Sequence, residues 1–155
     1  MDSLALLTEY STGPALLDRA LESVADEHWD AVPIADTWSL RQLLCHLADA
    51  EIVYADRIKR VLTEDNPTLR GWQPGEASRA DMCQCRTPGN ELIVVSAVRQ
   101  QVTEMLQAQD VEVWQRTAVH DEDGPMTLET LLERITQHIP HHLTFVQTKR
   151  QALGI

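Results

Sequence analysis

The segment Gln137-His138-Ile139-Pro140-His141-His142 places three histidines inside an apolar stripe that runs Leu128, Leu131, Ile135, His138, His142, Phe145. Its steps of three and four hold one face of an α-helix toward a partner. His138 and His142 therefore occupy seam positions, and His141 falls toward the edge of the face. Leaving a polar group buried without a partner costs about 2–7 kcal/mol. Two imidazoles on adjacent seam turns thus need hydrogen bonds or a metal ion. The i, i+4 spacing projects both rings from one face, a recurrent zinc-binding arrangement. A third candidate is His46, in the run Leu43, His46, Ala50, Val53. Ala50, one turn further on, leaves space for a cavity beside an inward histidine. If the second and last helices are neighbours, His46, His138 and His142 converge on one divalent ion. Three ligands leave a coordination position open for water or substrate, which is the catalytic pattern. The plain alternative makes each histidine a satisfied core or surface residue. Three inward positions together weigh against it.

Other polar residues read differently. Pro140 lies between the ligand candidates, lacks an N–H and crowds the carbonyl of Thr136. Interior proline costs about 3 kcal/mol, so a kink is expected. A kink keeps His138 and His142 on one side, whereas a full break does not. Glu51 falls in the apolar run Leu44, Leu47, Glu51, Tyr54, Ile58, Val61, and Arg99 in Leu92, Val95, Arg99, Val102, Leu106. A Glu51–Arg99 ion pair joining the second and third helices is the expectation. His28 reads as solvated, and His120, in an acidic connector, as a loop residue at the entrance of the site. Cys83-Gln84-Cys85 lacks the second pair a zinc ribbon needs and reads as ordinary thiols.

Four helices must position these groups. Apolar residues recur every three to four positions, and no alternating strand is evident. The first helix covers about 2–24, with Gly13-Pro14 expected to kink or split it. The second begins after Ser39, an N-cap with Gln42 in capping-box position, and reaches about Leu62. The third spans from Thr87-Pro88 to about Gln109, 110–125 is a connector, and the fourth covers about 127–152. Some two dozen residues rich in Asn, Pro, Gly and Asp separate the second and third helices. A link of that length is usually functional or mobile, and it frees the third helix from lying antiparallel beside the second. The expected architecture is all-α: a single domain, 1–155, forming a four-helix bundle with one long crossover.

Thirteen basic and 24 acidic residues give a formal net charge of −11. A surface this acidic repels phosphate backbones, so nucleic acid and anionic membranes are poor partners. No apolar run spans a bilayer, and the N-terminus carries no basic-then-apolar leader. With only three cysteines, the expectation is a cytoplasmic protein.

The residues so far also carry a resemblance. The segment from Pro33 to Glu51, with Thr37-Trp38-Ser39 and His46-Leu47-Ala48-Asp49-Ala50-Glu51, resembles the second-helix signature of DinB/YfiT-like proteins. The segment from His120 through Gly124-Pro125-Met126-Thr127-Leu128 to His142 resembles their fourth-helix signature, and Gly13-Pro14 and Arg99 extend the likeness over most of the chain. The resemblance implies a four-helix bundle binding a divalent metal, often nickel or zinc, through His46, His138 and His142. Such families include S-transferases and isomerases that use low-molecular-weight thiols such as mycothiol, bacillithiol or glutathione. Some members carry a further histidine or glutamine three residues past the last ligand, where this chain has Phe145.

The leading expectation is a metal-dependent transferase that uses a small thiol as cosubstrate and acts on a small-molecule substrate. The loop with Arg70 and Trp72 would close over the site. Metal-assisted hydrolysis is the second reading, and a non-catalytic, stress-associated metal-binding module the third. Exposed apolar area on such a bundle is compatible with a homodimer.

Overall fold

The computed structural model describes residues 3–155. Four long helices dominate it: α1 (Ser3–Leu21), α2 (Leu40–Thr63), α5 (Pro88–Gln107) and α6 (Leu128–Leu153). Ser39 caps α2 with the full reciprocal capping box to Gln42, and Pro88 opens α5 at its first turn. Thr127 accepts from the Thr130 amide at the start of α6, and Gly154, at φ 75°, closes its end. The expected start of the first helix at Asp2 lies outside the described residues.

The long helices pack α1 on α6, α6 on α2, α2 on α5 and α5 on α1, which leaves α1 and α2 across the diagonal. Two apolar clusters fill the interior, one at each end. Leu6, Leu7, Ile58, Val61, Val102, Leu106, Leu131 and Ile135 share one end. Leu17, Leu21, Leu43, Leu47, Val95, Ile139 and Val146 share the other. From these memberships α2 and α5 run in the same sense, and α1 and α6 run opposite to them. Two successive parallel helices oblige the chain to return the full length of the bundle, about 36 Å for the 24 residues of α2. The long crossover makes that return. It carries two one-turn helices, α3 (Pro74–Ala77) and α4 (Ala80–Cys83).

Neither proline splits its helix: α1 is continuous through Pro14 and α6 through Pro140, so His138 and His142 stay on one helix. At Pro14 the missing N–H frees the Tyr10 carbonyl, and Arg99 Nη1 donates to that oxygen at 2.8 Å. The connector and crossover also form a small sheet that was not expected. Strand β1 (Thr68–Leu69) pairs parallel with β2 (Thr117–His120), which pairs antiparallel with β3 (Gly124–Thr127). Strands of two to four residues are too short to show an alternating pattern in a helical background. Leu69, Ala118 and Met126 from the three strands join the apolar cluster at one end of the bundle. No helix among the described residues is long and apolar enough to cross a membrane.

Candidate metal centre

The structure brings together the three histidines read from the seam pattern. His46 projects from α2, and His138 and His142 from successive turns of α6. His46 Nε2 lies 3.0 Å from His138 Nε2 and 3.2 Å from His142 Nε2. A neutral imidazole nitrogen is either donor or acceptor, so one proton on His46 Nε2 cannot serve both neighbours as ordinary hydrogen bonds. Nitrogens bound about 2.0–2.1 Å from a tetrahedral ion lie about 3.3–3.4 Å apart. The observed spacing is close to that edge, and the donor set therefore fits a divalent metal. His46 is buried, while His138 and His142 are half-buried and His141 is exposed.

Electrostatics point the same way. Burial, reinforced by His142, His46 and Arg99, pushes the His138 ring down to about 3. Burial and the neighbouring His46 and His141 push His142 down to about 4. His46 is also lowered by burial, against a partial pull from Asp49. All three are neutral at neutral pH, the form that ligates a metal. Each Nδ1 is buried without a hydrogen-bond partner among the described residues. Among the described residues no carbonyl or carboxylate therefore sets the tautomers through Nδ1, in contrast to the usual outer shell of a histidine site.

Two tryptophans enclose His46. Trp72 stacks on its ring at 5.5 Å between centroids with planes 4° apart, and Trp38 packs at 5.1 Å with a 54° tilt. Trp72 is held there by its neighbours in the chain. The Gly71 amide donates to Asp121 Oδ1 at 2.7 Å, and the Arg70 carbonyl accepts from Arg57 Nη2 at 2.6 Å. A Cβ on Gly71 would meet the Glu122 carboxylate at 2.7 Å. The Gly71-Trp72 loop thus reaches the site as expected, through Trp72, whereas the Arg70 side chain is exposed.

The expected Glu51–Arg99 pair is present: Arg99 Nε donates to Glu51 Oε1 at 2.7 Å, with the side chains 1 % and 0 % exposed. Tyr10 completes it, donating its hydroxyl to Glu51 Oε2 at 3.1 Å and setting its ring 4.4 Å from the guanidinium. Arg99 Nη2 donates to the Ile135 carbonyl. One guanidinium therefore joins α1, α2, α5 and α6.

Other expectations at the site are corrected. Ala50 is packed into the apolar core. The cavity beside the site, about 300 Å³, lies instead against His142, Trp38 and Phe145. Phe145 is 45 % exposed because it sits at that cavity's wall rather than in the seam. His120 is no entrance residue. It is buried on β2, with Nε2 3.1 Å from Arg57 Nη2 and Nδ1 accepting the amides of Glu122 and Asp123 at 3.3 Å. His28 is half-buried, with its Nδ1 covered. The cysteines are free: Cys45 and Cys83 are buried and Cys85 is exposed.

Sequence reasoning missed Trp38 and Tyr10 as functional neighbours, and Lys149 entirely. Lys149 could have been found, since it continues the seam by four residues past Phe145 and lies seven after His142.

Fold and site together define a helical-bundle protein with an inward three-histidine centre. The chain belongs to the DinB superfamily, whose sequence pattern matches residues 9–146. It is 26 % identical over 142 residues to a protein of Bacillus subtilis (strain 168) named "Putative metal-dependent hydrolase YfiT", covering 91 % of this chain and 80 % of that one. A Bacillus cereus (strain B4264) protein named as a metal-dependent hydrolase in the same wording is 23 % identical, with 91 % and 81 % covered. The solved structure of Bacillus subtilis YfiT superposes with a TM-score of 0.90 at 24 % identity, covering 98 % of this chain and 87 % of that one. It is described as having an unusual four-helix bundle topology.

Proposed function

We propose that the chain is a divalent-metal-dependent enzyme acting on a small molecule, with His46, His138 and His142 as the metal ligands and hydrolysis as the reaction. The observation that carries this reading is the pair of Nε2 contacts at 3.0 and 3.2 Å among three buried or half-buried neutral rings. The names of the Bacillus relatives support hydrolysis over the other chemistries. Nickel or zinc suits an imidazole donor set. When bound, such an ion supplies Lewis acidity and a lowered pKa for a water or thiol in its open position.

The protein's own residues position and enclose. Trp72, stacked on the His46 ring, and Trp38, tilted against it, fix that ring by contact. The Glu51–Arg99–Tyr10 cluster anchors the helices that carry the ligands. The two carboxylates that follow His46 along α2 are already engaged: Asp49 accepts both Arg86 Nη groups, and Glu51 accepts Arg99 and Tyr10. This observation favours a second reading, transfer of a low-molecular-weight thiol. A thiol's pKa of about 8.5 lies far nearer neutrality than that of water, so its ionisation depends less on a positioned base.

Elemental analysis of the purified native protein tests the metal assignment. About one equivalent of nickel or zinc is expected, and His138→Ala is expected to lose it. Metal-free native protein, or undiminished metal in the variant, overturns the assignment. Turnover of an ester and amide panel with and without added thiol separates the two reactions. Hydrolysis without thiol supports the first, and turnover only with thiol the second.

A further inference from the structure

The cavity of about 300 Å³ beside His142 has apolar walls from Ile34, Trp38, Leu43 and Phe145. Into the same wall comes Lys149, which is 3 % exposed. Among the described residues Nζ has one hydrogen bond, to Thr37 Oγ1 at 2.6 Å, and no ion-pair partner. Thr37 is itself oriented, because its hydroxyl donates to the Ile34 carbonyl at 2.8 Å and so turns a lone pair toward the ammonium. An ammonium has three donors, and two of them find no protein acceptor. Burial lowers the Lys149 pKa, and no buried carboxylate compensates. Asp36 also lines the cavity, but it is exposed and forms no ion pair with Lys149. A covered cation without a counter-charge is costly, and in an apolar cavity against a candidate metal ligand it has the character of a binding group.

We propose that Lys149 and Thr37 form the anion-binding end of the substrate site, taking a small-molecule carboxylate whose apolar body lies along Trp38 and Phe145. This rests on the reading of His142 as a metal ligand. Lys149 follows His142 by seven residues on one helix, about 10.5 Å of axial rise. A single ammonium, backed by a hydroxyl whose proton is committed to Ile34, matches a monoanion. A phosphate dianion commonly recruits arginine forks, and no arginine lines this cavity. The net charge of −11 disfavours anions at long range, so capture of one requires a local cation such as this.

Calorimetric titration with 4-phenylbutyrate and its neutral amide, 4-phenylbutanamide, tests the assignment. Native protein, His138→Ala, Lys149→Met and Lys149→Arg are compared, each with its metal content measured. The acid is expected to bind native protein and His138→Ala alike, and Lys149→Met about 10- to 100-fold more weakly. Lys149→Arg is expected to restore part of the affinity, and the amide to show no preference among the proteins. Metal content is expected to be the same in Lys149→Met as in native protein. Undiminished binding of the acid by Lys149→Met overturns the proposal. So does loss of binding in His138→Ala, which would place the carboxylate on the metal, and so does absence of binding by native protein at millimolar acid. Lys149→Gln serves the same comparison should the methionine variant fold poorly. A native protein that holds no metal yet binds the acid through Lys149 would remove the metal reading and leave the anion site standing.

Discussion

At the scale of single residues, the depressed basicity of the histidines couples the site to stability. An unfolded histidine protonates near pH 6.5, whereas folded His138 and His142 resist until about 3 and 4. Below pH 6.5 the unfolded chain therefore binds more protons, and stability falls as the pH drops. Above pH 6.5 these groups contribute no slope. For chelator-treated protein, the melting temperature is expected to fall between pH 6.5 and 5. A variant carrying His138→Ala and His142→Ala is expected to fall less over the same range. Parallel curves for the two proteins would show that the buried rings are not the source. His28 and His120 were misread for a different reason. Burial of an isolated loop histidine depends on what packs over it, and one segment carries no trace of that.

Among the elements, the tightest constraint is where α1 meets Arg99. A Cβ on Gly13 would lie 2.0 Å from Arg99 Nη1 and 3.2 Å from Ile139 Cδ1. Gly13→Ala gains about 1 kcal/mol of helix propensity but displaces a guanidinium that holds four helices together. Overpacking costs about 1–3 kcal/mol, and disturbing a buried ion pair adds to it. A net loss of about 2 kcal/mol is expected by denaturant melting, and a stabilised variant would contradict this account of Gly13. The Glu51–Arg99 pair itself was legible because each residue interrupts an apolar stripe, and a half-buried charge seeks its opposite. Tyr10 was not legible, since a tyrosine in an amphipathic helix looks like any other core residue. The strands were hidden too. The partners of β1 lie some fifty residues away on β2, as in Leu69 with His120, and each strand is shorter than one alternation test.

For the molecule as a whole, the metal would act as a cross-link between α2 and α6. Ligands that bind only the folded state stabilise it by mass action, by about 2.7 kcal/mol at 100 times Kd. For a domain of this size, each kcal/mol corresponds to about 2–4 °C. Chelation is therefore expected to lower the melting temperature by about 5–10 °C, with recovery on adding nickel or zinc and no response in His138→Ala. An unchanged melting temperature on chelation would mean that the centre does not tie the helices together.

The spacing of residues along single segments was enough to specify four helices, the Ser39 capping box of α2, the inward faces of His46, His138 and His142, and the need for a long crossover. Helical periodicity and capping are local, set within a few residues of each position. Only the tertiary structure decided that α2 and α5 run parallel, that Trp72 returns from the crossover to stack on His46, and that Lys149 lies with Thr37 in an apolar cavity. Those juxtapositions join residues far apart in the chain. They depend on how all the apolar faces and both core clusters pack at once, which no single stretch of sequence encodes.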